Sequence, residues 1–266
     1  MHAALWSESA GLQEVDLPSG YSRAEGVSVN RAGNLVGVAM NADSSKRQAF
    51  TYRDGRLSLL PGDQSKPLAV NDVDEIVGES VLAAKGVSGP VLWRKHMAVD
   101  LGACCGGAAT GINNRGKVIG DVYDRSGNYH PFLWDSVSGI QRVRASGEGS
   151  SSIAINDAGH VVIESFPHVL IYANAKLVRL DLSAKYPSHA KAINNCDVVV
   201  GAFGPFSDAF RAFLWEKTTG FHDLNTLVAD PEWKLEMATS INNRGEIVGY
   251  GDHGSDEDVG FLLVPQ

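Results

Sequence analysis

A short turn motif recurs along this chain, and its recurrence limits the fold more than any other feature. The motif is an Asn followed three residues later by Gly or Asp, with an apolar-alternating run on either side. Its anchors are Asn30, Asn71, Asn113, Asn156, Asn194 and Asn242, spaced by 41, 42, 43, 38 and 48 residues. Asn at the start of a turn bonds its own backbone two residues on, and Gly takes the left-handed conformation at little cost. Asp74 and Asp197 stand in for Gly in two copies, and Asp also tolerates that region. Each copy therefore reads as a β-hairpin with a type I turn and a Gly bulge.

The copy from Ala109 to Trp134 continues with a polar loop, an apolar aromatic strand at Pro131–Trp134 and a fourth strand opening at Gly139. Four short antiparallel strands repeating every ~40–45 residues are the signature of a propeller blade. The expected fold is all-β: a six-bladed β-propeller of four-stranded antiparallel blades, one domain over residues 1–266. The chain starts mid-repeat, with His2–Trp6 as a third strand and Gly11–Leu17 as a fourth. Because a bare sheet edge is a liability, residues 11–17 are expected to join the C-terminal blade and close the ring. The count then leaves one third-type strand over, near Leu5 or near Leu262.

Taking the turn Gly as the bulge sets a register. Ser28, Ala69, Ala154, Ala192 and Ser240 face Val36, Val77, Val162, Val200 and Val248, a small residue against a β-branched one each time. Ile112 faces Val118 and Gly111 faces Ile119. One step further the same rule sets Val27, Leu68, Thr110, Lys191 and Thr239 against Gly37, Gly78, Gly120, Gly201 and Gly249.

INNRGKVIG with HPFLW, AINNCDVVVG with RAFLW, and SINNRGEIVG with GFLLVP resemble the HAF family of repeats. Asp223–Leu227 and Trp233–Leu235 resemble that family's last inter-blade loop. The fourth copy departs most, with Ile163 at the strand Gly and Ile171-Tyr172 at Leu-Trp. Members are often described as extracellular repeats and no common activity defines them, so the resemblance implies a fold and little about function.

A net charge of −8 and the lack of a basic stripe exclude a nucleic-acid backbone partner. No apolar run approaches the ~20 residues of a membrane span, and no secretory leader is visible. The expected location is cytoplasmic if Met1 is the native start, and extracellular or periplasmic if a leader has been removed. Cys104, Cys105 and Cys196 form neither a disulfide framework nor a zinc spacing, and neighbouring cysteines rarely bridge. No nucleophile elbow, phosphate loop, metalloprotease helix or dinucleotide fingerprint occurs. No cofactor and no metal are expected, and the chain is expected to be a monomer.

Residue types that recur at the same repeat position serve architecture. Trp6, Trp93, Trp134 and Trp215 read as blade packing. Asp16, Asp100, Asp181 and Asp223, each before a Leu, read as Asx-type turns. Irregular polar residues gather on the loops opposite the Asn turns, where a rigid scaffold presents binding groups. The candidates are Arg23, Glu25, Lys66, Tyr123, His189, Arg211, Trp233 and His253, with His130 discounted because the family pattern itself carries it. Glu79, Asp121 and Glu164 sit eight residues after three consecutive anchors, opposite Pro67, Ala109 and Ser152 by the register above. They form either a negative rim for a cationic ligand or metal, or structural acceptors paired with loop amides, Lys66 or Arg125. The leading function is a non-enzymatic propeller binding a small molecule, glycan or protein at the loop-rich face of the central channel. The alternative is an acid–base hydrolase, lyase or isomerase using His and carboxylate groups there.

Overall fold

The computed structural model describes residues 2–8, 10–81, 86–95, 97–144, 149–182, 186–205 and 210–265. Parts of the loops expected to carry function, at 145–148, 183–185 and 206–209, lie outside the described residues. The chain divides into two compact units, Met1–Val143 and Arg144–Gln266. Among the described residues both are built of antiparallel β-strands.

In the N-terminal unit β1 (Ala4–Ser7) and β2 (Gly11–Glu14) pair as a two-stranded sheet. The first blade is β3 (Arg23–Val29), β4 (Leu35–Met40), β5 (Arg47–Arg53) and β6 (Arg56–Leu59). The second is β7 (Asp63–Val70), β8 (Ile76–Val81), β9 (Ser88–Arg94) and β10 (Met97–Asp100). The third is β11 (Gly107–Ile112), β12 (Val118–Tyr123), β13 (Tyr129–Asp135) and β14 (Gly139–Arg142). In the C-terminal unit the fourth blade is β15 (Ser151–Ile155), β16 (Val161–Ser165), β17 (His168–Ala173) and β18 (Lys176–Arg179). The fifth is β19 (Ser188–Ile193), β20 (Val199–Phe203), β21 (Arg211–Glu216) and β22 (Gly220–Asp223). A 3-10 turn at Leu224–Thr226 leads to a three-stranded sheet of β23 (Trp233–Ile241), β24 (Ile247–His253) and β25 (Asp256–Leu263).

The expected joining of residues 11–17 to the C-terminal sheet does not occur. β2 pairs with β1, as a fourth strand pairs with a third in every blade, and β23–β25 form a sheet of three. Both third-type strands, β1 and β25, are present, which gives seven sheets among the described residues.

The turns follow the sequence reading closely. At every anchor the Asn N–H donates to the carbonyl four residues on, and the N–H three residues on donates to the Asn carbonyl, as in Asn113→Lys117 at 3.0 Å and Gly116→Asn113 at 3.1 Å. Gly116 sits at φ 72°, and Asp74 and Asp197 at 62° and 61°. The asparagines also do something no turn rule requires. Asn30, Asn71, Asn156 and Asn194 each donate from Nδ2 to the carbonyl of the next anchor, at 3.0, 3.0, 3.0 and 3.2 Å. They are buried, so each is a blade-to-blade clasp in a place water does not reach.

The register holds next to the turn and then slips. Ser28↔Val36, Ala69↔Val77, Gly111↔Ile119, Ala154↔Val162, Ala192↔Val200 and Ser240↔Val248 all pair as expected, as does Ile112↔Val118. Every first strand then carries a bulge one residue on, at Val27, Leu68, Thr110, Ile153, Lys191 and Thr239, so Gly37, Gly78, Gly120, Gly201 and Gly249 face Gly26, Pro67, Ala109, Ala190 and Ala238 instead. The facing residues of the three acids shift accordingly, to Lys66 for Glu79, Ala108 for Asp121 and Ser151 for Glu164.

Within each unit the core lies between successive blades. Val36, Ala49 and Leu60 of the first blade meet Ile76, Val91 and Trp93 of the second, and Val77 and Leu92 of the second meet Val118, Phe132 and Trp134 of the third. In the C-terminal unit Val162 and Ile171 meet Val199 and Phe213, while Val200 and Ala212 meet Ala238 and Phe261. Fully burying one such aromatic or branched side chain contributes ~1.5–3 kcal/mol. Trp93 and Trp134 are packed as expected, but Trp6 is 68% exposed. In the later blades this slot faces the preceding blade.

Candidate functional site

On the loop-rich side of the N-terminal unit, Glu79 faces Lys66 across β7–β8 and reaches Arg47 of the first blade at 3.1 Å. The Ser88 hydroxyl donates to its other oxygen at 3.2 Å. Glu79 thus fastens the second blade to the first, and its partner is Arg47 where the sequence suggested Lys66 or Arg125. Asp121 is buried in β12, and beyond it Tyr123 and Tyr129 face each other across β12–β13, edge to face at 4.6 Å. The Tyr129 phenol is pushed up to about 12, first by burial, then by the hydrogen bond with Tyr123 and the charges of Asp121 and Glu79. The Tyr129 phenol therefore lies within electrostatic reach of both carboxylates. At the hairpin tip Asp124 accepts from the Ser126 and Asn128 amides and lies 2.9 Å from His130 Nε2, repeating the Asn-turn geometry with an acid.

In the C-terminal unit Glu164 Oε1 of β16 lies 2.7 Å from His189 Nδ1 of β19, and Phe210 stands edge-on to the imidazole at 5.8 Å. Both groups are half-buried, and the pair spans two blades just as Arg47–Glu79 does. His253 stacks on Trp233 at 4.7 Å, with its Nε2 3.1 Å from Asp230 and 4.0 Å from Glu232. The Glu232 amide and His253 hold the Asp230 carboxyl below its ordinary range. One imidazole and two carboxylates, all with ligand atoms within 4.8 Å of one another, could hold a divalent cation once the His253–Asp230 contact yields. The three are exposed or half-exposed, and loop acids of this kind are common without an ion.

The structure therefore brings together Lys66 with Glu79, Asp121 with Tyr123, Glu164 with His189, and Trp233 with His253. It does not gather the rest. Arg23 donates to the Ser44 hydroxyl at 3.3 Å, Glu25 is exposed opposite Val38, and Arg211 is held at 2.6 Å by Asp223. Asp223 also accepts the Asn225 amide, and Asp100 the Gly102 amide, as Asx turns do.

A cleft of about 780 Å³ opens elsewhere, at the Asn-turn end between the first and second blades, and none of the candidate binding residues singled out in the sequence lines it. Val36, Leu60, Ile76 and Trp93 form its apolar floor. Its rim carries two ion pairs, Arg53–Asp74 at 3.0 Å and Arg94–Glu75 at 2.6 Å, and two further cations, Arg56 and Lys95. The cleft has a cause in the repeat. Thr51 lines it on β5, facing Val36 in register, whereas the equivalent residues of the next four blades are Leu92, Leu133, Ile171 and Leu214. Ser58, beside Thr51 on β6, is short as well. Missing side-chain volume on one blade face leaves a void, and the break at Thr51 in an otherwise aliphatic series is the sequence signal that marks it.

No protein-family profile and no curated protein matches the chain. Solved structures do. The β-propeller domain of the Trilobed protease from Pyrococcus furiosus superimposes with a TM-score of 0.66 at 9% identity, covering 100% of this chain and 88% of that one. TolB from Acinetobacter baumannii matches with a TM-score of 0.52 at 11% identity over 99% of this chain and 60% of its own. Pyrococcus horikoshii acylaminoacyl peptidase matches with 0.56 at 10% over 97% and 46%. At such identities the likeness speaks to architecture alone, and the architecture is that of a β-propeller.

Proposed function

We propose that this chain is a non-enzymatic β-propeller, of six repeats and of the HAF type, that binds a small molecule in the cleft between its first two blades. Six anchors and the INNRG-type motifs support the repeat reading. The observation that carries the function is the cleft: its volume falls within the ~300–1,000 Å³ of small-molecule sites, with an apolar floor and convergent charges at the rim. Its lining holds no histidine, cysteine or tyrosine, and its acids Asp54, Asp74 and Glu75 all lie in ion pairs with arginines. The matching ligand has an apolar body and charged or polar ends.

Thr51→Leu tests this directly, because Leu or Ile already occupies the equivalent position of four blades and should fold there. Native mass spectrometry of the purified chain is expected to show a retained small molecule that Thr51→Leu loses. Equal retention by Thr51→Leu overturns the assignment.

Two further readings each have one observation in favour. The Tyr123–Tyr129 pair, with Tyr129 within electrostatic reach of Asp121 and Glu79, suits a cationic group at the loop-rich face. The Glu164–His189 contact suits acid–base catalysis. A ligand lost on Tyr129→Phe but kept by Thr51→Leu favours the first, and a turnover abolished by His189→Gln favours the second.

A further inference from the structure

Cys104 and Cys105 lie in the segment between β10 and β11, outside any strand ladder, with their sulfurs 2.6 Å apart. Cys104 is exposed and Cys105 half-buried. The loop is bounded by Gly102 at φ 99° and by Gly106 and Gly107 at φ 104° and 135°, so its backbone is set by glycines on both sides. The Gly106 carbonyl accepts the Tyr123 amide at 3.2 Å, and the Cys104 sulfur stands 3.9 Å from the Tyr123 carbonyl. The loop is thereby pinned to the end of β12 while the two thiols face each other. The third cysteine, Cys196, is an exposed turn residue on its own.

We propose that Cys104 and Cys105 are a redox-active vicinal dithiol that closes reversibly to a disulfide by exchange with a low-molecular-weight disulfide such as glutathione disulfide. The thiolate of Cys104, the exposed sulfur, attacks glutathione disulfide and expels one glutathione thiolate, giving a mixed disulfide. The Cys105 thiolate then attacks the Cys104 sulfur and expels the second glutathione. Two electrons and two protons pass from the pair to glutathione disulfide, which leaves as two glutathione molecules. Nothing else is consumed.

Most protein disulfides bridge Cα atoms ~4.4–6.8 Å apart, whereas consecutive Cα atoms stand ~3.8 Å apart across a trans peptide. A bridge between neighbours is therefore strained, which is why such bridges are rare and also why this one is readily reduced again. Strained, exposed disulfides are the labile ones, and that suits a reversible site more than a permanent staple.

The test uses the reduced full-length chain exposed to glutathione disulfide, then quenched by alkylation and mapped by peptide mass. The expected result is a Cys104–Cys105 peptide that has lost two hydrogens and takes no alkyl group, with Cys196 carrying glutathione or alkyl. Dithiothreitol should restore both alkylation sites. In Cys104→Ser and Cys105→Ser the remaining thiol should retain glutathione, because nothing can expel it. Wild-type chain that accumulates glutathione on this peptide, or links to a second chain through it, or stays fully alkylated, overturns the proposal.

Discussion

Gly120 lies directly beneath Phe132. A methyl group on Gly120 would stand 2.7 Å from the Phe132 ring and 2.1 Å from the Ala108 carbonyl. The same pair of contacts, a carbonyl and a Phe ring, recurs at Gly37 with Phe50, Gly201 with Phe213 and Gly249 with Phe261. The bulged first strand pushes a carbonyl toward the second strand while the third strand lays a Phe ring over the same spot. Gly at this position is thus a packing requirement where a Phe ring covers the carbonyl; the fourth blade keeps the bulge, but there Ile163 replaces the Gly and Leu170 replaces the Phe.

Gly120→Ala is accordingly expected to destabilise the protein by about 3 kcal/mol, at the upper end of overpacking because backbone as well as ring must move. Gly89→Ala is the matched control, since nothing lies within 4 Å of its added methyl. Urea unfolding of both variants checks the contrast, and equal midpoints would refute the bulge argument.

The anchor asparagines should not be equivalent. Asn71 is buried, accepts the Val73 and Glu75 amides and donates to Asn113 of the next blade. Asn242 is exposed, and its amide turns to its own Glu246. Asn71→Ala is expected to cost about 3 kcal/mol, because it leaves buried polar groups unsatisfied at ~1–3 kcal/mol apiece. Asn242→Ala should cost about 1 kcal/mol, a turn effect alone. Thermal melts of the two variants give the comparison.

Asp74 poses a sign question. It sits at φ 62°, where Gly would be relaxed, yet its carboxylate accepts from Asn30 at 2.8 Å, Asn34 at 2.6 Å and Arg53 at 3.0 Å. Relieving a non-Gly left-handed residue gains ~1–2 kcal/mol, while hydrogen bonds to a charged group contribute ~1.5–3 kcal/mol each when well sheltered. Asp74 is partly exposed, so each bond contributes ~1 kcal/mol, and three bonds still outweigh the strain. Asp74→Gly should therefore lower stability by about 1–2 kcal/mol. A stabilised variant would show that backbone strain dominates.

Those asparagines also mark how far the sequence could be read. Turn type, strand order and the pairings nearest each turn were legible, because Asn and Gly or Asp impose them locally. The bulges were not: Val27, Leu68, Thr110, Ile153, Lys191 and Thr239 share no chemistry, since a bulge residue is set by the partner strand. The blade-to-blade role of the anchors was hidden because turn formation already accounted for them. Some site contacts were half-legible. Glu164 and His189 were both singled out as polar loop-side residues, but their 2.7 Å contact depends on how one blade stacks on the next. The cleft was missed because it is made by absent methyl groups at Thr51 and Ser58, which reads only when one blade face is compared with the others.

Tyr129 gives the alkaline limb of stability a definite sign. Its phenol is pushed up to about 12, chiefly by burial, so the folded chain holds this proton more tightly than the unfolded chain, whose phenol titrates near ~10. At neutral pH both states are protonated and the full stability is present. As pH rises beyond ~10 the unfolded state releases the proton first, and stability falls until the folded phenol ionises near about 12. Tyr129→Phe removes the group, so its melting temperature should decline less over that window than the parent's. Asp121→Asn should leave most of the window intact, because the Asp121 charge is a lesser cause than burial. Phenolate absorbance followed against pH, together with melts at each pH, reads both. A parent and Tyr129→Phe that lose stability in parallel would place the alkaline sensitivity elsewhere.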